Sequence, residues 1–344
     1  MSDVTYILVT GGVGYIGSHI VVELVNAGYT PVIIDIFANA VKVVIERMEK
    51  IVDKQLIYHD IDILNKSALD DLFAKYSFYA VIHLAGLKAM RESINMPIEF
   101  YKVNVFGTLN IVECMKEHGV NNLMFSSSGS VYGTPQYLPI DEKHAVGGCL
   151  TPYGKSKYFI EEILRDVSKA EKNWNIILFR YFNPVGSHKS GLIGEDPRAT
   201  NLMSYVAQVA IGRKPHLSVF GGDYDTHDGT GVRDYVHVVD LALGHIAALK
   251  QFTTKGGLKI YNLGSGKECS VLDMVRGMEK ASGKKIPYKI VDRKDGDVGS
   301  SYSDATLIQT ELGWKPEKNY EEMFEDLWRW QKNNPEGYET ANSI

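Results

Sequence analysis

Tyr6-Ile7-Leu8-Val9-Thr10-Gly11-Gly12-Val13-Gly14-Tyr15-Ile16-Gly17 decides how the rest of this chain is read. The apolar run 6–9 has the length and composition of a buried strand, and apolar residues at spacings of three and four over 16–26 predict a helix. Between them lies Gly12-x-Gly14-x-x-Gly17. In such a turn one glycine permits the tight reversal, one lets the backbone approach a pyrophosphate, and one lets the helix pack closely on the strand. The helix start adds free N–H groups and a positive dipole end. Glycines after a strand often only make a turn, so the context carries the reading. Asp35 stands about twenty residues on, at the end of the next apolar run, where an acid meets the adenosine ribose of a dinucleotide. It would repel a 2′-phosphate, and no arginine follows it closely, so the expected cofactor is NAD rather than NADP.

Outward from this turn, short β-branched runs alternate with helical patterns. Residues 6–9, 31–34, 55–58, 80–84, 122–125 and 176–179 read as strands, and 16–26, 69–76, 99–117 and 153–170 as helices. The alternation predicts an α/β fold, a doubly wound, Rossmann-like parallel sheet covered on both faces. Thr151-Pro152 suits a helix start, because proline lacks only an N–H that the first turn leaves unpaired. Past residue 184 the rhythm gives way to Gly-, Pro- and Asp-rich stretches such as Gly221-Gly222-Asp223-Tyr224-Asp225. We expect a dinucleotide domain over 1–183 and a smaller α/β substrate domain over 184–344, with some of its segments returning to the first.

Composition narrows the function classes. The chain has 344 residues, 44% hydrophobic and 23% charged, with a formal net charge of −5 and no long basic run. That leaves no footprint for nucleic acid. No run of eighteen apolar residues and no secretory leader pattern is present, so a cytoplasmic protein away from membranes is expected. Cys114, Cys149 and Cys269 are widely spaced and odd in number, which predicts reduced thiols, no disulfide framework and no metal.

The chemistry centres on Tyr153-Gly154-Lys155-Ser156-Lys157. Residues i and i+4 share a helix face, so the Tyr153 phenol and the Lys157 ammonium can serve one ligand. A phenol has a pKa of about 10, and bringing it to neutrality takes roughly 4 kcal/mol. A neighbouring ammonium and an oxidised nicotinamide both favour the phenolate. Without a nucleotide turn, the pair would read as a half-buried tyrosine beside a snorkelling lysine. Ser128, in Ser126-Ser127-Ser128-Gly129-Ser130-Val131-Tyr132-Gly133, follows a strand of the regular alternation and could donate to a reacting oxygen.

These segments, with His83-Leu84-Ala85-Gly86-Leu87-Lys88-Ala89, Arg180-Tyr181-Phe182-Asn183-Pro184-Val185-Gly186, Asp228-Gly229-Thr230-Gly231-Val232-Arg233-Asp234-Tyr235-Val236-His237 and Tyr261-Asn262-Leu263-Gly264-Ser265-Gly266, resemble the extended short-chain dehydrogenase/reductases, and among them the UDP-hexose 4-epimerase branch. The resemblance spans nearly the whole chain. It implies reversible inversion at C4 of a UDP-hexose through a 4-keto sugar, with tightly bound NAD, interconverting UDP-galactose and UDP-glucose. Tyr153 is then the base, Lys157 the residue that holds the nicotinamide ribose and lowers the phenol pKa, and Ser128 a donor to the reacting oxygen. By the same matching, Gly11, Gly14, Tyr15, Ile16, Gly17, Asp35, Asn39, Asp60, Ile61, Leu84, Ala85, Gly86, Lys88, Asn104 and Phe182 face NAD. Asn183, Asn201, Leu202, Arg233, Lys294 and Asp297 surround UDP, and Ser218, Val219 and Phe220 run along the uracil.

The chain departs from the pattern in places. The loop after Asp35 is shorter and more apolar, Val103 stands where the first of two asparagines is usual, and Lys294 replaces a usual arginine, exchanging a fork for a point charge. Ser301 aligns with a position that is tyrosine in members restricted to plain hexoses and small in members that accept N-acetylated ones, so UDP-GalNAc and UDP-GlcNAc are also expected to fit. A nucleotide-sugar 4,6-dehydratase shares the fold but carries an Asp-Glu pair where Gly129-Ser130 stands. A noncatalytic NAD-binding regulator would have no use for Ser128, Tyr153 and Lys157 as a set. The resemblance also implies a homodimer pairing through the helices predicted over 99–117 and 153–170.

Overall fold

Alternating apolar side chains let one set of strands bury both of its faces. The structure, a computed structural model, describes residues 4–38, 41–199, 201–252, 256–293 and 296–338. In chain order it begins β1 (Tyr6–Thr10), α1 (Tyr15–Asn26), β2 (Thr30–Asp35), α2 (Val43–Val52), β3 (Ile57–Asp60), α3 (Lys66–Lys75) and β4 (Phe78–His83). Next come α4 (Met90–Asn95), α5 (Pro97–Tyr101), a π-helical turn (Lys102–Phe106), α6 (Gly107–Glu117), β5 (Asn122–Ser128), a 3₁₀ turn (Gly129–Tyr132), α7 (Pro152–Ala170) and β6 (Asn175–Tyr181). The remainder is β7 (Asn183–Val185), α8 (Leu202–Ala210), β8 (Leu217–Phe220), β9 (Val232–His237), α9 (Val238–Leu249), β10 (Gly257–Leu263), β11 (Glu268–Ser270), α10 (Val271–Ser282), β12 (Tyr288–Val291), β13 (Ser300–Ser301), α11 (Thr306–Leu312) and α12 (Tyr320–Asn333).

Seven strands form one sheet in the order β10-β6-β5-β4-β1-β2-β3, all parallel. Ile7, Val9 and Ile33 pack on the face shared with Ile20, Leu24, Leu241 and Leu249 of α1 and α9. Leu8, Val32 and Ile34 turn to the opposite face with Leu69, Ile111, Ile160 and Leu164 of α3, α6 and α7. This is the alternation that a doubly covered parallel sheet requires. The strand order reverses between β1 and β4, and in such sheets ligands bind outside the carboxyl ends at that switch point.

The second half builds a smaller layer. β11, β9, β13 and β7 make one sheet and β12 pairs β8 in another. Val206, Met274, Val275, Phe324 and Leu327 of α8, α10 and α12 form its core. Two segments of this half join the large sheet: β10 pairs with β6 over seven residues, and α9 lies against α1.

Several boundaries differ from the sequence reading. The predicted helix 99–117 is interrupted by the π turn, which turns Asn104 inward. The predicted strand 122–125 runs on to Ser128, because the buried Ser126 and Ser127 find partners on α7. The third strand lies at Ile57–Asp60, two residues beyond the predicted 55–58.

Candidate active site

The glycine turn is shaped by contact rather than by flexibility alone. Gly11 has φ +68, and its Cβ, were it present, would lie 2.9 Å from the Ala85 amide nitrogen. A Cβ on Gly17 would meet the Gly11 carbonyl oxygen at 2.2 Å. Gly14 begins α1 in extended conformation with no side-chain cap among the described residues. The Tyr15 and Ile16 amides therefore face outward, as the first amides of a helix do. That cradle fits a pyrophosphate.

Asp35 closes β2. Its Oδ2 accepts from the Val13 amide at 3.2 Å and its Oδ1 from the Phe37 amide at 3.1 Å. Burial raises its pKa and these amides oppose the rise. The carboxylate is thus oriented yet keeps lone pairs for ribose hydroxyls. Asp60 pairs beside it at the end of β3, followed by Ile61. Asn39 lies outside the described residues.

On the other side of the switch point, Leu84, Ala85, Gly86 and Lys88 follow β4. Thr10 Oγ1 accepts from the Leu84 and Ala85 amides at 3.1 and 3.0 Å. Asn104, expected to face the cofactor, is committed to the protein: its Oδ1 accepts from the Leu87 amide at 2.8 Å, and its Nδ2 donates to the Leu87 carbonyl at 3.1 Å and to Ser156 Oγ at 2.9 Å. It ties the Leu84–Lys88 segment to α7. Phe182 sits just after β6, packed with Val131, Tyr132 and Ile140.

Thr151 caps α7, accepting from the Gly154 amide at 3.2 Å, with Pro152 in the first turn. One face of the helix then points at the end of β5. Lys157 Nζ donates to the Ser126 carbonyl at 2.7 Å and lies 4.8 Å from the Phe125 ring centroid and 6.0 Å from that of Tyr153. Burial lowers its pKa to about 7. Burial raises that of Tyr153, and a hydrogen bond with Ser128 works against the rise. Ser128 is not in a free loop; it ends β5 and its Oγ accepts from the Ser130 amide at 3.2 Å and Ser130 Oγ at 3.0 Å. A phenol, an amine and a hydroxyl thus converge at the carboxyl edge of the sheet.

The residues expected to bind the substrate are spread over β7, β8, β9, β13 and the start of α8. Asn183 Nδ2 donates to the Asp234 carbonyl at 2.8 Å, Arg233 Nη2 lies 3.9 Å from Asp297 Oδ1, and Ser301 pairs with Arg233 in the strand register. Phe220 is exposed on β8 with the Arg91 guanidinium of α4 5.2 Å from its ring centroid, and Ser218 shares that side of the strand. The side chain of Val219 turns the other way, into the core, leaving only its backbone for a ligand. Asn201 caps α8, precedes Leu202 and donates to buried Glu195, whose other oxygen is 3.4 Å from Lys88 Nζ. Lys294 lies outside the described residues.

Sequence reasoning missed the Glu161–Arg180 pair behind α7 and Glu195 between the two ligand sets. A glutamate within the apolar face Ile160, Ile163, Leu164 and an arginine directly after the apolar run 176–179 were the available signals for the pair.

A family model described as GDP-mannose 4,6 dehydratase matches residues 8–327. The human UDP-glucose 4-epimerase is 58% identical over 342 residues, covering 97% of this chain and 98% of its own length. The crystal structure of UDP-glucose 4-epimerase from Bifidobacterium longum in complex with NAD+ and UDP is 48% identical, covers 97% of this chain and 100% of that one, and superposes with a TM-score of 0.93. The enzyme from Stenotrophomonas maltophila with bound NAD and formylated UDP-arabinopyranose is 40% identical, with coverages of 96% and 99% and a TM-score of 0.93.

Proposed function

The chain belongs to the UDP-glucose 4-epimerase family of extended short-chain dehydrogenase/reductases, and on that premise we propose that Tyr153, Lys157 and Ser128 carry its inversion at C4 of a UDP-hexose. The protein is an isomerase that interconverts UDP-galactose and UDP-glucose with NAD as cofactor. One observation carries the assignment of roles: Tyr153 and Lys157, four residues apart on α7, both face the end of β5, where Ser128 reaches the phenol.

The residues fit the cofactor. The uncapped start of α1 and the Gly11, Gly14 and Gly17 turn would hold the pyrophosphate, Asp35 the adenosine ribose, and Lys157 the nicotinamide ribose. NAD, when bound, supplies the hydride acceptor and donor at sugar C4. Tyr153 takes the proton of the 4-hydroxyl and returns it, and Ser128 donates a hydrogen bond to the same oxygen. Lys157, buried beside the phenol ring, favours its ionised form. Asn183, Asn201, Leu202, Arg233, Lys294 and Asp297 would bind UDP, and Ser218, Val219 and Phe220 the uracil. Binding energy spent on UDP leaves the hexose free to turn while the intermediate stays bound.

The dehydratase alternative needs acid/base groups that eliminate water. Here the corresponding positions are Gly129 and Ser130, and Ser130 Oγ is bonded to Ser128. Ser301, half-buried and small, supports acceptance of N-acetylated hexoses, which turnover of UDP-GalNAc would test. Ile98, Phe106 and Phe159 lie exposed on α5, the π turn and α7, and support a homodimer through that face; sedimentation of the wild type against a Phe106→Glu, Phe159→Glu variant tests it. No helix among the described residues is long and apolar enough to cross a membrane, and we take the protein to be cytoplasmic, which fractionation would check.

The deciding experiment incubates purified protein with UDP-galactose without added NAD and follows UDP-glucose. Turnover is expected; inertness, even with added NAD and with UDP-GlcNAc as substrate, would overturn the reading.

A further inference from the structure

Three consecutive residues at the end of β5 are engaged by successive turns of α7. Ser128 hydrogen-bonds the Tyr153 phenol, the Ser126 carbonyl accepts from Lys157 Nζ at 2.7 Å, and Ser127 Oγ donates to Glu161 Oε1 at 2.5 Å. The helix positions are i, i+4 and i+8, one stripe of one face. The third rung is the anchored one. Arg180 of β6 grips Glu161 with both arms, Nε to Oε1 at 3.0 Å and Nη2 to Oε2 at 2.6 Å, and the two side chains are 1% and 0% exposed. Arg180 Nη1 donates onward to Tyr132 Oη at 3.0 Å, and that hydroxyl donates to Asn262 Oδ1 of β10 at 2.6 Å.

A fully buried ion pair is a poor device for stability, because desolvating two charges cancels most of their attraction. Its forked geometry does what apolar packing cannot: it fixes one rotation and one height of a helix against a strand. A displacement of about 1 Å at a reacting group costs as much as a hundredfold in rate.

We propose that Glu161 and Arg180 are positioning residues, whose ion pair locks α7 onto β5 and β6 so that Tyr153 and Lys157 are held against Ser128. The proposal rests on Tyr153 being the base in the epimerase reading. Beyond this pair, the titratable groups facing Tyr153 and Lys157 among the described residues are Tyr181 of β6 and His83 of β4, and neither touches Glu161, which Arg165 Nη2 of the same helix approaches to 3.7 Å.

The test compares the wild type with Glu161→Gln and Ser127→Ala, measuring kcat and KM for UDP-galactose, bound NAD per chain, and the phenolate titration of Tyr153. The titration is read as the ultraviolet difference between each protein and its Tyr153→Phe counterpart, so it needs no turnover. Glu161→Gln is expected to lower kcat roughly ten- to a hundredfold with KM within about twofold and NAD retained. Its phenolate titration moves to higher pH, because the Ser128 hydroxyl, whose hydrogen bond holds the phenol's pKa down, is no longer kept against it. Ser127→Ala, which removes one rung and leaves the ion pair, shifts kcat and the titration less and in the same direction, and decides the matter where Glu161→Gln fails to fold. Unchanged kcat and titration in a folded variant, or a fall in rate that only tracks lost NAD-loaded protein, would overturn the proposal. An inert wild type sinks the epimerase reading instead, and the phenolate titration still judges this one.

Discussion

Thr10 and His83, at the carboxyl ends of adjacent strands β1 and β4, are joined by a hydrogen bond of 2.7 Å from Oγ1 to Nδ1. Because Thr10 Oγ1 already accepts the Leu84 and Ala85 amides, its own proton goes to Nδ1. His83 then carries its proton on Nε2 and donates to Thr108 Oγ1 at 2.9 Å, which donates to the Asn104 carbonyl at 2.6 Å. Burial lowers the His83 pKa to about 3, so the ring stays neutral and this directional chain is kept.

Thr10→Val keeps the shape and removes the hydroxyl, leaving the Ala85 amide and the His83 ring nitrogen without their partner and the Leu84 amide with only the Thr10 carbonyl, at 3.2 Å. It is expected to destabilise the fold by about 2–4 kcal/mol and to loosen the Leu84–Lys88 segment, whereas Thr10→Ser stays near wild type. Urea denaturation, with NAD affinity measured in parallel, checks both expectations.

Lys157 carries a pH signature. Its folded pKa of about 7 lies below the ordinary lysine value of about 10.4, so between these limits the unfolded chain holds a proton that the folded one has lost. Stability contributed by this group therefore rises with pH across that window, by at most about 1.4 kcal/mol per unit. In protein freed of NAD, Lys157→Met should raise Tm most near neutral pH, with the advantage shrinking towards pH 10. Thermal scans showing a pH-independent difference would contradict the assignment.

Tyr153→Phe removes the hydroxyl proposed as the proton acceptor while leaving the ring and its packing. The expected loss in kcat is at least about 10²-fold, with bound NAD retained. Single-turnover assays with UDP-galactose, and cofactor release by denaturation, measure the two effects separately.

Gly17→Ala would drive a methyl group to 2.2 Å from the Gly11 carbonyl and 2.7 Å from the Gly12 Cα. The neighbours are backbone and cannot step aside cheaply. Loss of NAD retention should exceed the loss of Tm, since the clash distorts the turn itself; a variant that purifies with a full complement of NAD would show the turn to be more pliable than it looks.

Ser301→Tyr fills the space beside the Arg233 strand. Turnover of UDP-GalNAc should fall at least about tenfold relative to UDP-galactose. Equal turnover of both sugars by both proteins would remove Ser301 from the specificity argument.

What was legible in the sequence was local. The strand, turn and helix around Gly11–Gly17, the acid at Asp35, and the start of α7 at Thr151-Pro152 depend on neighbours a few residues away, so spacing reveals them. Partnerships between distant segments were not legible. Ser126 and Ser127 read as loop residues because serine favours turns, yet they are buried strand residues whose hydrogen bonds go to Lys157 and Glu161. The π turn within 99–117 was not legible, since it is defined by i→i+5 backbone hydrogen bonds rather than by residue type. That only the backbone of Val219 is left for a ligand was not legible because a three-residue segment was matched as a unit, whereas strand alternation sends its middle side chain to the core.

The pairing of β10 with β6 also orders events in time. As the chain leaves the ribosome, β6 remains an open edge until some eighty further residues, including the whole of α8 and α9, have emerged. An unpaired edge of a parallel sheet is a template for strands of other molecules. The nascent protein therefore passes through a long interval in which its nucleotide half is nearly built but still adhesive, and substitutions that slow closure by β10 should show first as lost yield rather than lost catalysis.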